Sequence, residues 1–331
     1  MSFVKFPEKG GIVNSANMEE YSFYTDEERF LLEKCTVCPR ECGVNRFEGG
    51  SGWCGMDAGM NIASICIHRG EEPPISGPSG ICNIFFGGCN LRCTFCQNHE
   101  ISRSPQGLSG SRLPMANILG QIARILDRGI RAVGFVSPSH AVPQVRAIIR
   151  GLNALGRKPV IVYNTNSYDK PERLRELDEL ADVYLPDYKY VTPEIAQEYS
   201  GSSDYPETAL RAIREMYYQK GSTLRIDDNG TAENGILIRH LVLPGHVEES
   251  KRVLRSIAEE ISTGISVSLM SQYYPVPDTM DHPLLNRPLS ASEYQAVVRE
   301  MEDLGFRNGW VQDMESHRNY RPDFRKKNPF T

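Results

Sequence analysis

The sequence of 331 residues lacks several features that mark specialised protein classes. No run approaches 18 consecutive apolar residues, so we expect no membrane-spanning helix. Residues 1–21 lack the apolar stretch of a secretory signal, and we expect a cytoplasmic protein. Internal repeats and low-complexity segments are also missing. Because 40% of the residues are hydrophobic and 24% are charged, the composition is that of a globular protein and excludes collagen-like and disordered classes.

Basic residues are in deficit as well. The chain has 37 Lys and Arg against 42 Asp and Glu, which gives a formal net charge of −5. A broad nucleic-acid-binding surface is usually basic, so this balance argues against one. We therefore expect neither nucleic acid nor a membrane among the partners.

The nine cysteines fall into two clusters and two isolated positions. Clustered cysteines in a chain without a signal peptide indicate metal sites in a reducing compartment rather than a disulfide framework. The isolated residues, Cys66 and Cys82, lie in apolar stretches and are expected to be core residues.

The chain divides into three predicted parts. Residues 1–78 form a lead-in and a Cys-rich metal-binding segment, and a Pro/Gly run at 73–80 marks its end. Residues 79–280 alternate short apolar strands with helical patterns, and residues 281–331 form a C-terminal extension. Alternation of this kind predicts a parallel α/β sheet. Six units are too few for an eight-stranded barrel, so we expect a partial (β/α)6 TIM-like barrel. The predicted strands cover 81–86, 132–137, 159–164, 182–187, 235–244 and 265–270.

The strongest motif is GGCNLRCTFCQN at 87–98, directly after the first predicted strand of the barrel. Its Cys89-x3-Cys93-x2-Cys96 spacing places three thiolates on one loop. Three thiolates can hold three irons of a [4Fe-4S] cluster and leave the fourth iron open. A structural zinc site with a distant fourth ligand is the alternative.

At these residues the sequence resembles the radical S-adenosylmethionine (SAM) enzymes. It looks most similar to the branch of the pyruvate formate-lyase activating enzymes. The similar segments lie between residues 35 and 313 and include CTVCPRECGVNR, VIVYNTNSYD, DVYLPDYKY, IRHLVLPG and SLMSQYYP. The resemblance implies a [4Fe-4S] cluster on Cys89, Cys93 and Cys96, with SAM chelated to the open iron. One electron would cleave SAM to a 5′-deoxyadenosyl radical, which abstracts hydrogen from a protein glycine or from another peptide or small molecule.

The resemblance also implies a set of SAM contacts and an electron donor such as flavodoxin or ferredoxin. Phe95 would lie near the adenine, and Ser137 stands where many relatives have the Gly-Gly-Glu that binds the SAM amino group. A strand-ending turn is the alternative for Ser137. No catalytic residue is assigned. The other implied contacts are Asn164, Thr165, Asp187, Arg239 and Gln272.

Several of these contacts have simpler interpretations. Asn164, Thr165 and Asp187 match the positions that bind a monovalent cation beside SAM in activating enzymes, but Asn in place of Asp weakens such a site. Asp187 could instead cap a helix. Arg239 matches an arginine near the SAM carboxylate, and its alternative is a buried ion pair. Gln272 replaces a histidine of the family.

The other cluster, Cys35-x2-Cys38-x3-Cys42-x11-Cys54, supplies four thiols. Four thiolates complete a tetrahedral metal site, so we expect a second metal, either zinc or an auxiliary iron–sulfur cluster. Buried thiols without metal are the alternative. For the whole chain, the alternative functions are an iron–sulfur electron carrier or redox sensor without SAM chemistry, and a zinc-dependent scaffold.

Overall fold

The structure is a computed structural model that describes residues 21–103, 112–318, 321–326 and 328–330. These residues form nine strands. Numbered in chain order, they are β1 (Ile62–His68), β2 (Ile81–Phe86), β3 (Ala132–Val136), β4 (Val160–Thr165), β5 (Val183–Pro186), β6 (Arg225–Ile226), β7 (Ala232–Leu241), β8 (Ser266–Met270) and β9 (Gly309–Val311).

The sheet follows chain order, β1-β2-β3-β4-β5-β7-β8-β9, and β6 pairs with β7. The six predicted strands correspond to β2, β3, β4, β5, β7 and β8, and all of them run parallel. Among the described residues no pairing joins β1 to β9, so the barrel is open on that side. The predicted partial barrel is confirmed.

Helices cross over between the parallel strands and cover their outer face. The longer ones are α4 (Met115–Leu126), α5 (Val142–Ala154), α8 (Tyr205–Lys220), α9 (Val247–Glu260) and α10 (Ala291–Asp303). The shorter ones are α1 (Asp26–Glu33), α2 (Pro73–Ser76), α3 (His99–Ser102), α6 (Pro171–Arg175) and α7 (Pro193–Ser200). Every residue of β2 and β3 is buried, as expected for parallel strands covered on both faces.

Three labelled elements, α1, β1 and α2, lie in the segment predicted to be a lead-in and metal-binding region. Helix α1 begins with a reciprocal capping box between Thr25 and Glu28. Strand β1 pairs antiparallel with β2 and so extends the barrel sheet into that segment. The sequence PERLRELDELA at 171–181, with Pro at its first turn, predicts a helix over that whole range, but helix α6 ends at Arg175. The chain continues there as turns because Leu177 and Leu180 donate to carbonyls three residues back.

The C-terminal residues pack across the open side of the barrel. The ring of Phe324 packs on Phe85 with centroids 5.3 Å apart, and the ring of Phe330 lies 4.0 Å from that of His68. Within the described part of the chain, no helix combines the length and apolar character needed to cross a membrane.

Candidate active site

The carboxyl ends of the parallel strands converge on one cavity of about 190 Å³. In parallel α/β barrels, active sites lie at this end of the strands. The thiols of Cys89, Cys93 and Cys96 line the cavity, which brings together the three residues of the strongest sequence motif. Other lining residues come from the ends of β3, β4, β5, β7 and β8, and they include Ser137, Asn164, Asp187, Arg239 and Gln272.

Each thiol of this loop has a polar neighbour. The backbone N–H of Leu91 donates to Cys89 Sγ at 3.4 Å, and Asn166 Nδ2 donates to the same sulfur at 3.4 Å. Cys93 Sγ lies 3.0 Å from Ser200 Oγ. Burial raises the pKa of the Cys89 thiol to about 12, so this free thiol is neutral until a metal binds it.

The loop is fixed by the end of α7. The backbone N–H of Arg92 donates to the Ser200 carbonyl at 3.1 Å, and that of Thr94 donates to the Tyr199 carbonyl at 2.8 Å. Phe95 is buried, with its ring edge against Tyr190 at 6.3 Å. It also lines the cavity.

A partly buried ion pair supplies charge to the cavity wall. Lys189 Nζ lies 2.6 Å from Asp187 Oδ2, and both residues line the cavity. Burial alone would lower the pKa of Lys189, but Asp187 and Cys93 hold it above its usual value. Lys189 was not predicted as a site residue, although it follows Asp187 in the DYKY segment.

Ser137, Asn164 and Thr165 lie at the ends of two neighbouring strands. Ser137 follows β3 with a φ of 50°, which is unusual for a residue other than glycine. Its N–H donates to the Asn164 carbonyl at 2.7 Å. Thr165 does not face the cavity, because its hydroxyl donates to Asp169 and lies 2.8 Å from Ser139 Oγ in a buried polar network. Burial raises the pKa of Asp169 to about 6.

Arg239 is held by two carboxylates that the sequence analysis did not single out. Its Nε donates to Glu72 Oε1 at 3.0 Å, and its Nη2 donates to Glu71 Oε2 at 2.6 Å and also to Glu72. The side chains of Arg239, Glu71 and Glu72 are 8%, 12% and 8% exposed, so this is a buried triad with one excess negative charge. The buried ion pair that was the alternative interpretation of Arg239 is therefore present.

A larger cavity of about 320 Å³ adjoins the first one. The two share lining residues, among them Gln97, Asn164, Arg239 and Gln272, and the larger one continues past Glu71 and Glu72. Gln272 is fixed at this junction by Gln312, whose Nε2 donates to Gln272 Oε1 at 2.9 Å. The C-terminal residues Pro322 and Phe330 form part of its wall.

The second cysteine set lies in the segment before β1. Cys35, Cys38 and Cys54 are buried, Cys42 is partly exposed, and all four are free thiols. The backbone N–H of Trp53 donates to Cys42 Sγ at 3.3 Å. Burial raises the pKa of Cys38 to about 12.

Neither set is arranged around an ion in this structure. Among the described residues, no group of three or more His, Cys, Asp or Glu side chains has the arrangement needed to hold a metal ion. The thiols make hydrogen bonds with protein groups instead, such as those with Leu91 and Trp53. The donor chemistry of both sets nevertheless fits a thiophilic metal, because each consists of several free thiols on one short stretch of chain.

Comparison with known families decides the identity of the barrel. Residues 83–227 match the sequence profile described as the radical SAM superfamily, a range that contains the three-cysteine loop and β3 to β5. This part of the chain, residues 83–227, is a radical SAM domain. A domain of this kind implies a [4Fe-4S] cluster, SAM and the general reaction in which SAM is reductively cleaved.

Two relatives of this radical SAM protein are uncharacterized proteins of Methanocaldococcus jannaschii. MJ0674 is 28% identical over 280 residues, which cover 82% of this chain and 75% of the relative. MJ0808 is 31% identical over 85 residues, which cover 22% of this chain and 25% of the relative.

Solved structures similar to this radical SAM protein share little sequence with it. A domain of pyruvate-formate lyase-activating enzyme from Bacteroides vulgatus is 14% identical with a TM-score of 0.37, over 52% of this chain and 93% of that one. Streptococcus suis SuiB bound to S-adenosylmethionine is 13% identical with a TM-score of 0.46, over 70% of this chain and 50% of that one. Methylornithine synthase (PylB) is 15% identical with a TM-score of 0.45, over 92% of this chain and 76% of that one.

Proposed function

We propose that this protein is a radical SAM enzyme whose reaction takes place in the cavity lined by Cys89, Cys93 and Cys96. The observation that carries the proposal is that three free thiols of one loop face a single cavity at the carboxyl ends of the barrel strands. Cys89, Cys93 and Cys96 would hold a [4Fe-4S] cluster, which when bound would supply the electron for reductive cleavage of SAM and so for hydrogen abstraction from the substrate. An external reductant such as flavodoxin or ferredoxin would provide that electron.

The residues around the thiols have distinct proposed roles toward SAM. Ser137 and Asn164 offer hydroxyl and amide groups for its amino group, and Phe95 forms the apolar wall beside its adenine. Gln272 offers a neutral amide at the far wall. Arg239 has one nitrogen, Nη1, without a hydrogen-bond partner among the described residues, and we assign that nitrogen to the SAM carboxylate.

Lys189 replaces the monovalent cation that the activating enzymes bind. Asn164 stands in place of a carboxylate, and Thr165 is turned into the buried network around Asp169. The remaining carboxylate, Asp187, is already paired with Lys189 Nζ at 2.6 Å. A protein ammonium therefore supplies the positive charge on this wall, and no free cation is needed to balance Asp187.

We propose that the substrate binds in the larger cavity, which adjoins the SAM cavity at Gln97, Arg239 and Gln272. Its volume of about 320 Å³ and its wall of C-terminal residues favour a small molecule. Abstraction from a glycine of a partner protein, as in the activating enzymes, would require the segment around Phe330 to move aside.

We also propose that Cys35, Cys38, Cys42 and Cys54 hold a second metal, either zinc or an auxiliary iron–sulfur cluster. Three of these thiols are buried together, and each thiolate there would need a metal to offset its charge.

The proposed cluster and its open iron are tested together by spectroscopy. The protein is reconstituted anaerobically with iron and sulfide, reduced with dithionite, and examined by EPR before and after SAM is added. We expect a [4Fe-4S] signal that SAM changes. Cys93→Ala should lose this signal, and Cys66→Ala, which removes a thiol outside both sets, should keep it. A cluster signal that SAM leaves unchanged would favour the electron carrier or redox sensor.

A further inference from the structure

Arg46 is a buried cation surrounded by thiols. It lies in the short 3-10 turn Arg46–Glu48 and is only 2% exposed. Its Nη2 donates to Cys54 Sγ at 3.0 Å, and its Nη1 donates to the His140 carbonyl at 2.9 Å. Its Nε is buried and has no hydrogen-bond partner among the described residues.

No ion pair within the described part of the chain includes Arg46. A buried guanidinium without an anion is strongly unfavourable. The sulfur of Cys54 lies 3.0 Å from Nη2, and Cys35 and Cys38 are buried in the same segment. As metal-bound thiolates, these sulfurs would supply the negative charge that balances the guanidinium.

We propose that Arg46 is the counter-charge of a metal centre held by Cys35, Cys38, Cys42 and Cys54, and that this centre supports the loop of the SAM cluster. Four thiolates around a dication carry two excess negative charges, and the guanidinium offsets one of them. Zn²⁺ and an oxidised [4Fe-4S] core are both dications with thiolate ligands, so either satisfies the same charge balance.

The segment of the second cysteine set contacts the loop of Cys89, Cys93 and Cys96 in three places. Arg46 donates to the carbonyl of His140, whose Nε2 in turn donates to the carbonyl of Gly87 at 2.9 Å. The carbonyl of Cys54 lies against Gly88, immediately before Cys89. A third contact, from Arg40 Nε to the Asn90 carbonyl at 2.9 Å, joins the same two segments. Loss of the metal bound by Cys35, Cys38, Cys42 and Cys54 should therefore weaken the positioning of the backbone at Cys89.

The centre itself is tested without using the proposed radical reaction. The full chain carrying Cys89→Ala, Cys93→Ala and Cys96→Ala is purified and reconstituted anaerobically, and zinc, iron and sulfide are counted per chain. We expect about one zinc, or about four irons with four sulfides, to remain. Adding Cys38→Ser and Cys54→Ser should remove that metal, and Cys66→Ala should not. If the triple variant holds no more metal than the fivefold variant, the second centre does not exist.

The role of Arg46 is tested by chelator competition in the triple variant. Arg46→Gln removes the charge and should lower the affinity of the remaining metal about tenfold or more, as outer-shell partners commonly do. Arg46→Lys keeps a positive charge and should restore part of the lost metal affinity. Circular dichroism checks that each variant is folded, and a folded Arg46→Gln variant with unchanged metal affinity would contradict the assignment.

The coupling rests on the proposed function, and its test is separate. In the chain with Cys89, Cys93 and Cys96 intact, Cys38→Ser with Cys54→Ser should at least halve the SAM-responsive EPR signal per chain. An unchanged signal would overturn the coupling while leaving the radical SAM proposal intact. Absence of that signal in the unaltered chain would instead contradict the radical SAM proposal and leave the metal count of the triple variant valid.

Discussion

The carbonyl oxygen of Cys54 packs directly against Gly88, and this contact joins the Cys-rich segment to the cluster loop. A β-carbon at position 88 would overlap that oxygen and would stand 2.8 Å from Met56 Cγ. Gly88 also has a φ of 71°, a conformation that side chains disfavour. Only glycine satisfies both requirements where the segment that carries Cys54 meets the loop that carries Cys89.

Gly88→Ala should destabilise the protein more than the same substitution elsewhere. Gly129 is the matched control, because its φ is 86° and an added β-carbon there meets nothing within 4 Å. Gly129→Ala should cost about 1–2 kcal/mol of unfolding free energy from backbone strain alone. Gly88→Ala adds the overlap with Cys54 and should cost at least ~2 kcal/mol more. Anaerobic urea denaturation measures the loss of unfolding free energy in both variants. Equal losses would show that the contact between Gly88 and Cys54 does not restrict the residue at position 88.

The parts of the fold that the sequence predicted are those with strong local patterns. Strand β3 is a continuous apolar run and β2 has one polar residue, Asn83, among apolar ones, and the longer helices α4 and α5 that follow them show regular apolar spacing. Strand β1 was not predicted, because Ser64 and His68 interrupt its apolar residues within a Cys-rich segment. Strand β9 has three residues, too few to show any periodicity.

Arg239 provides a prediction about buried charge. Arg239→Gln would leave Glu71 and Glu72 as two unpaired buried carboxylates, and breaking such a pair costs about 3–5 kcal/mol. Glu72→Gln leaves Arg239 with Glu71 and should cost far less, about 1 kcal/mol. Urea denaturation of both variants tests this difference. Similar losses would mean that solvent in the cavity screens the triad.

Lys189 should set the reduction potential of the proposed cluster. Its ammonium lies among Asp187, Cys93 and Cys96, and a nearby positive charge stabilises the more negative, reduced cluster. Lys189→Met should make the midpoint potential more negative by roughly 40 mV, which corresponds to about 1 kcal/mol for one electron. Redox titration followed by EPR measures this shift. A potential unchanged within 10 mV or so would place the cluster away from Lys189.

His140 and His240 predict a loss of stability in mild acid. Burial lowers the pKa of each to about 4, whereas an unfolded histidine has a pKa near 6.5. Below pH 6.5 the unfolded state binds protons that the folded state cannot, so stability falls as the pH drops from 6.5 toward 4. Each histidine should therefore lower the free energy of unfolding at pH 5 by about 2 kcal/mol relative to pH 7.5.

His240→Gln isolates one of these two contributions. His240 Nδ1 donates to the Tyr188 carbonyl at 2.8 Å, and the side-chain amide of glutamine can replace that donor without titrating. Between pH 7.5 and pH 5 the free energy of unfolding of the variant should fall by about 2 kcal/mol less than that of the unaltered protein. Equal pH dependence of the two proteins, in urea denaturation at both pH values, would mean that His240 is accessible to protons in the folded state.

The candidate site was predictable where its residues are close in sequence. The Cys-x3-Cys-x2-Cys spacing located the cluster loop, and the strand ends placed Ser137, Asn164 and Asp187 on the cavity wall. Thr165 was predicted as a contact beside SAM, but the direction of its side chain could not be predicted, because the orientation of one strand end decides whether its hydroxyl meets the cavity or Asp169. The hydrogen-bond partners of Arg239 and Arg46 lie in distant segments of the sequence. No local sequence pattern predicts which distant residues will pair.

The product of SAM cleavage shows whether this protein is a radical SAM enzyme. Iron-reconstituted protein is incubated anaerobically with dithionite and SAM, and 5′-deoxyadenosine is quantified by mass spectrometry. We expect 5′-deoxyadenosine from the unaltered protein and from Cys66→Ala, and none above background from Cys93→Ala. Absence of 5′-deoxyadenosine from protein with a fully loaded cluster, or equal amounts from Cys93→Ala, would contradict the radical SAM proposal.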